Sequence, residues 1–386
     1  MKIGVLQIGV FAALLFGGRA IGASLPGDSG RESSTKCPPV ACAPAVQTAG
    51  FIDVAAYAPS DGSADASAAI QALIDENPKR TLWFADGTYL LAHPIATPAD
   101  PALAVSLRLS DFAVLKAAPG WAHTNAMVRL GGIHRKNDNR TVGSLYGLYG
   151  GYIDGSGVAD GVSIEGGRET RVQGTSIRNV RIGLNVHWGA NGGSADCDIR
   201  DVNIVCNNAY DSIGLWVQAF DNSFSNMRIC DARIGVRIDD SGNLFANIHP
   251  LCTYGLFKFY DETIGFLDFD GNNTYDRCYA DQFSTGWFFS AKANHSVLHA
   301  PMCYWYNSTP GHPHTVFKCE GQFKALVSEL WAGFRDDKAT NAVLLVGEPG
   351  GHGYIRDIRG LKGPDSPCLN NPADAWQHYL QGGWHR

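Results

Sequence analysis

The chain has 386 residues, of which 45% are apolar, 11% aromatic and 18% charged, and its net charge is −6. That length can bury one long core or two ordinary ones. Asp and Glu outnumber Lys and Arg by 37 to 31 and no basic block occurs, which excludes nucleic acid and anionic membrane surfaces as expected partners.

Met1 to Ala23 carries Lys2, an apolar run from Ile3 to Phe16 and small residues ending at Ala23, and reads as a signal peptide with a mature start near Ser24. The run is short for a bilayer span, so no membrane association is expected after cleavage. Residues 24–50 are rich in Gly, Ser and Pro and read as a linker pinned by Cys37 and Cys42. A secreted or periplasmic location fits the ten cysteines, which can pair in an oxidising compartment. The folded domain is expected over 51–360, followed by a cap or tail over 361–386.

From Ser63, Ile70, Leu73 and Ile74 recur at helical spacing between Asp65 and the Asn77-Pro78 stop. Thr81–Leu91 then reads as strand, turn and strand around Asp86-Gly87. Within this stretch Ala69, Ile70, Gln71, Ala72, Ile74, Asp75, Phe84, Gly87, Thr88 and Tyr89 match the opening motif of the pectate-lyase-like superfamily, which residues 51–91 resemble. Two departures stand out: Ser60-Asp61-Gly62-Ser63 thins the usual paired-aspartate turn, and Ala85-Asp86 replaces the usual proline and its neighbour. The resemblance implies a right-handed coil whose N-terminal mouth is covered by the short helix. It also implies a range of activities, since the superfamily includes polysaccharide lyases, polygalacturonase-type hydrolases, sugar epimerases, glucanases and phage tailspikes. The motif is specific for the fold and poor at naming a reaction.

Further along, one pattern recurs: Gly214, Gly235, Gly265 and Gly286 each open an alternating apolar run that reaches Asn222, Asn243, Asn273 and Asn294 eight residues later. Gly183 with Asn191 and Gly161 with Glu169 extend it backwards. A second alternating run follows each asparagine, as in FSNMRIC and LFANIHP. A period of about 20–30 residues with two strands per repeat is a solenoid signature. The expected fold is therefore all-β, a single-stranded right-handed parallel β-helix with a short N-terminal capping helix. The asparagines are expected to stack as a structural ladder at a bend. Cysteines spaced at intervals near one turn suggest disulfides between neighbouring turns, of unreadable connectivity. Sequons occur at Asn139, Asn272, Asn294 and Asn307.

Displayed residues on successive turns form columns about 4.8 Å apart, a spacing suited to an extended glycan. Placing Met227, Ile229, Ile248 and Cys278 inward makes Arg228, His249 and Tyr279 one outward column, with Arg277 and Asp281 beside it as candidate substrate contacts. A cation, a base and a phenol are the groups a uronate lyase needs; a polar solvated face is the alternative. The preceding strands display Arg237 and Asp239, then Asp268 and Asp270 around Phe269. Those carboxylates would suit a glycosidase acid and base, or could equally hold a calcium ion, the one cofactor suggested. Trp216, Trp287 and Trp305 are candidate sugar-stacking platforms. The leading expectation is a secreted enzyme acting on a polysaccharide, leaning to β-elimination of a uronate-containing glycan. A glycoside hydrolase with paired carboxylates and a non-catalytic carbohydrate-binding β-helix protein are the alternatives. Oligomeric state is not readable.

Overall fold

The computed structural model describes residues 50–131, 146–189, 192–305, 314–334, 342–348, 351–358 and 380–381. The expected leader, the linker and most of the C-terminal tail lie outside them. No helix among the described residues is long and apolar enough to cross a membrane.

The chain winds as a right-handed parallel β-helix with three faces. The first face is a ten-stranded sheet that includes Val162–Glu165, Ile182–His187, Ile213–Val217, Ile234–Ile238, Ile264–Asp268 and Thr285–Phe289. The second and third faces form one larger sheet, in which the long strands Ser223–Cys230 and Leu244–Leu251 run through both faces. Between those faces each described turn from Asp201 onward bends at one left-handed residue. Asp201, Asn226, Asn247, Arg277, Ala300, Glu329 and Asp357 occupy this corner with φ from 47° to 57°. Asparagine and aspartate tolerate that region better than most residues, and the corner is braced where Asn247 Nδ2 donates to Asn226 Oδ1 at 2.8 Å.

Thr81–Phe84 and Gly87–Leu91 do not form a hairpin with each other. Thr81–Phe84 pairs in parallel with Phe51–Asp53 and Ser106–Leu109, whereas Gly87–Leu91 pairs with Ala113–Ala117. Asp86-Gly87 is therefore a corner of the coil. The helix Ser67–Glu76 buries Ile70, Leu73 and Ile74, as its spacing predicts. Asp65, just before the Ala66 N-cap, supports the first turn, with Oδ1 accepting from Ser67 N at 2.9 Å. Gln71 on the helix meets the exposed edge of the first face: its Nε2 donates to Ala96 O at 2.9 Å and its Oε1 accepts from Ala96 N at 2.8 Å. One side-chain amide thus stands in for a missing strand and closes an edge open to pairing.

The recurring glycine marks the place where the chain enters the first face against side chains of the third. A Cβ on Gly214 would lie 2.2 Å from Ile229 Cγ2, and one on Gly235 would lie 2.4 Å from Pro250 Cβ. Close approach explains the repeat.

Inside, identical positions stack. Phe224, Phe245 and Tyr275 form a column with ring centroids 5.0 and 5.1 Å apart, and Phe266 stacks on Trp287 at 5.0 Å. Asn222, Asn243 and Asn273 pile over one another at the bend before the second face. Asn222 N donates to Asn243 Oδ1 at 3.1 Å and Asn243 N to Asn273 Oδ1 at 3.0 Å. Each asparagine satisfies a buried backbone donor that the bend would otherwise leave unpaired. Asn294 does not join the ladder, because it bridges Gly271 while Ser296 takes the ladder position, its Oγ accepting from Asn273 N at 3.4 Å. Asn243→Ala strands Asn222 N and the carbonyl of Ala219, to which Asn243 Nδ2 donates at 3.0 Å. The expected loss is about 2–4 kcal/mol, read as a lower urea midpoint with protection from hydrogen exchange lost first in the turns flanking Asn243.

The expected disulfides between turns are absent among the described residues, where Cys197, Cys206, Cys230, Cys252, Cys278, Cys303 and Cys319 are free thiols. Register gives the reason: Cys303 lies level with Ala280 and Ala332, Cys319 with Phe289, and Cys230 with Val205 and Leu251. Six of the seven fill the coil interior, and Cys197 Sγ donates to Gly167 O at 2.9 Å. Burial pushes the Cys197 and Cys278 thiols up to about 12. Cys37, Cys42 and Cys368 lie outside the described residues.

Candidate functional site

The third face carries the first candidate site. Arg228 and His249 are register partners on neighbouring strands, and the pairing of Leu251 with Asp281 brings Tyr279 level with His249. Inward Met227, Ile229, Ile248, Cys278 and Ala280 are buried, so alternation along the pleat turns Arg228, His249, Tyr279 and Asp281 outward.

The group is organised by contacts that sequence spacing does not reveal. His249 Nε2 lies 3.2 Å from Asp281 Oδ2, and the His249 and Tyr279 rings stack at 4.2 Å, 12° from parallel. Burial first, and then the negative charge of the neighbouring Asp281 carboxylate, hold the Tyr279 pKa well above its ordinary value. The phenol therefore stays protonated over the ordinary pH range. Arg228 is exposed and makes no ion pair among the described residues. On the next turn Tyr304 follows Asp281 in register and stacks on Trp331 at 5.9 Å. Asp281, read from the sequence as a substrate contact, is the orienting partner of the imidazole, and its Oδ1 is buried without a hydrogen bond. Arg277 belongs elsewhere: it is the left-handed residue of its corner, exposed, and paired with Asp276 at 2.8 Å.

On the first face Trp216 and Arg237 are register partners. Trp216 Nε1 donates to Asp239 Oδ2 at 2.7 Å and Arg237 Nε to Asp239 Oδ1 at 2.9 Å. The Arg237 guanidinium stacks over both Trp216 and Phe269, at 4.7 and 5.0 Å. Asp239 is thereby committed to two neighbours, which leaves it poorly placed as a glycosidase acid or base.

Three expectations need correction. Asp268 is not displayed; it is fully buried at a corner of the coil and accepts from Gly271 N at 2.9 Å, Asn273 Nδ2 at 3.2 Å, Tyr275 OH at 2.9 Å and Ser296 Oγ at 2.7 Å. Burial pushes its pKa up, opposed by those four hydrogen bonds. Asp270 is exposed on the far side of Phe269, so the expected carboxylate pair with Asp268 is not formed. Trp287 and Trp305 are interior, at 0% and 1% exposure, and present no platform to a sugar. Trp305 Nε1 instead donates to Phe283 O at 2.6 Å. No group of three or more His, Cys, Asp and Glu side chains among the described residues is placed to hold a metal ion, and the carboxylates suggested for calcium do not converge.

Sequence reasoning also passed over a polar cavity on the first face around Glu165 and His187. The signal was available, since these residues close consecutive strands at the same register position.

No family model matches the sequence, and no curated protein does. Solved structures match the fold. The N-terminal fragment of bacteriophage phi29 gene product 12 superposes with a TM-score of 0.60 at 11% identity, over 80% of this chain and 57% of that one. The hyperthermoactive exopolygalacturonase from Thermotoga maritima gives 0.56 at 12% identity, over 88% and 91%. The tailspike protein of E. coli bacteriophage HK620 gives 0.56 at 12% identity, over 80% and 65%. This chain thus spans little more than half the length of the phi29 protein. At these identities the likeness defines the fold alone, a right-handed parallel β-helix.

Proposed function

We propose that this protein is a carbohydrate-active enzyme that cleaves a uronate-containing polysaccharide by β-elimination on its third face. The observation that carries the reading is the Asp281–His249 contact at 3.2 Å with Tyr279 stacked on the imidazole at 4.2 Å, one strand from Arg228, which makes no ion pair among the described residues. Fold likeness to an exopolygalacturonase supports a polysaccharide substrate, and fold by itself does not fix chemistry.

In this mechanism Arg228 binds the uronate carboxylate and stabilises the negative charge that spreads onto it as the C5 proton leaves. His249, oriented by Asp281, takes that proton. The electron pair forms the C4–C5 double bond, the C4–O bond breaks, and Tyr279 gives its proton to the departing oxygen. Tyr304 and Trp331 extend the surface along which the chain of sugars would lie. Hydrolysis by Asp239 with a carboxylate of the following turn has less support, because Asp268 is inside the coil and Asp239 is already paired.

The test is a panel of acidic and neutral polysaccharides incubated with the full chain. Elimination gives an ultraviolet-absorbing unsaturated sugar end from a uronate polymer; new reducing ends without that absorbance mean a hydrolase. Binding with neither product would leave a carbohydrate-binding protein and remove the enzyme.

A further inference from the structure

The first face holds a cavity of about 250 Å³ lined by Asp160, Ser163, Glu165, Ile182, Asn185 and His187, among others. It lies on a different face from Arg228 and His249. Both carboxylates in its lining are already matched by arginine. Arg129 grips Glu165 with two hydrogen bonds of 2.7 Å, and Arg181 holds Asp160 at 2.7 Å. Those pairs fix the acceptors in place; Arg181 also reaches the exposed Asp211 at 3.4 Å, and each carboxylate of the lining still has an arginine partner, so neither an anion nor a cation finds an unmatched group there.

What remains is hydrogen-bonding capacity. Ser163 Oγ donates to Glu165 Oε1 at 2.8 Å and keeps its lone pairs. His187 Nδ1 meets Trp188 O at 2.9 Å, while its Nε2 stands 4.0 Å from Glu165 Oε1. That gap is too wide for a direct hydrogen bond, which leaves Nε2 to meet a ligand hydroxyl. Asn185 Oδ1 is buried with no hydrogen-bond partner among the described residues. Ile182 adds an apolar wall. Trp216 follows Asn185 in the same outward column. Alternating fixed donors and acceptors against a small apolar wall suit a polyhydroxylated ring. The volume lies below the ~300–1,000 Å³ of pockets for drug-sized ligands, which leaves room for one ring.

We propose that this cavity is a binding site for a single neutral sugar ring, separate from the third-face site and independent of the reaction assigned there. Such a site would hold one residue or branch of a glycan while another part lies elsewhere on the coil.

The experiment is saturation-transfer NMR and calorimetric titration of the full chain with methyl glucoside, methyl galactoside and N-acetylglucosamine, with galacturonate as the charged comparator. At least one neutral sugar is expected to bind. Ser163→Trp, which fills the cavity, and Glu165→Gln, which loosens the Arg129 clamp, are each expected to weaken binding at least tenfold. His249→Ala is expected to leave it unchanged. Circular dichroism melts of both cavity variants separate lost binding from lost fold, and Glu165→Gln is the milder change if the tryptophan disrupts packing. Binding of galacturonate alone, no binding by any neutral sugar, or full binding by a folded Ser163→Trp protein overturns the proposal. Loss of neutral-sugar binding in His249→Ala would place the ligand on the third face and overturn it as well.

Discussion

Under the proposed elimination mechanism, His249→Ala is expected to lower kcat/KM on a uronate polymer by about 10²–10⁴-fold, the range lost when a positioned general base is removed. The imidazole is held by Asp281 at 3.2 Å and backed by the Tyr279 ring, so its truncation removes the base without opening the core. Asp281→Asn is expected to lower kcat less than His249→Ala does, because the carboxylate acts through the ring it orients. Arg228→Ala is expected to raise KM as well, since it takes away the charge that meets the substrate carboxylate. Initial rates of formation of the unsaturated product measure all three. Full turnover in His249→Ala ends the elimination mechanism, whatever the polymer.

The largest effect on stability is expected at Asp268. Asp268→Ala removes the acceptor shared by Gly271 N, Asn273 Nδ2, Tyr275 OH and Ser296 Oγ. Buried donors without partners cost about 1–3 kcal/mol each, and relaxation recovers part of that, so a loss of about 3–4 kcal/mol is expected. Asp268 also ties the Asn273 rung of the ladder to Ser296 on the next turn. In a solenoid each turn contacts mainly its neighbours, and hydrogen exchange should therefore accelerate first between Ile264 and Ser296. Asp268→Asn keeps one acceptor oxygen and should lose less. If Asp268→Ala retains the wild-type urea midpoint, the buried network is not what holds this corner.

Two features of the fold were written plainly in the chain. The glycine that opens each first-face strand recurs because a Cβ there meets the third face, and the asparagine eight residues on recurs because a buried backbone donor at the bend needs an acceptor. Both are local requirements repeated at every turn, so they leave a period in the text. The column Arg228, His249, Tyr279 was legible for the same reason, since buried Met227, Ile229 and Ile248 alternate with it cleanly.

The direction of the aromatic and acidic side chains on the first face needed the folded coil. Leu267 and Phe269 are apolar and yet face outward, packing with Ile182, Ile213, Ile234 and Trp216 in a second apolar cluster, so alternation alone gives no phase for Ile264–Asp268. A slip of one residue exchanges the two faces, and it put Asp268 and Trp287 on the surface. Aligning the glycines supplies the phase: the residue after each one, Leu184, Leu215, Val236, Phe266 and Trp287, is buried. The cysteines were misread because intervals close to one turn do not place two sulfurs level, and register after a left-handed corner is set only when neighbouring turns pack. The sequence by itself determined the coil and its ladder, which follow from near-neighbour sterics and backbone hydrogen bonding. Only the tertiary structure decided which charged groups meet: Asp281 with His249, Arg129 with Glu165, Asp268 with the interior. Those contacts join residues 32, 36 and 28 positions apart, at separations fixed by the winding.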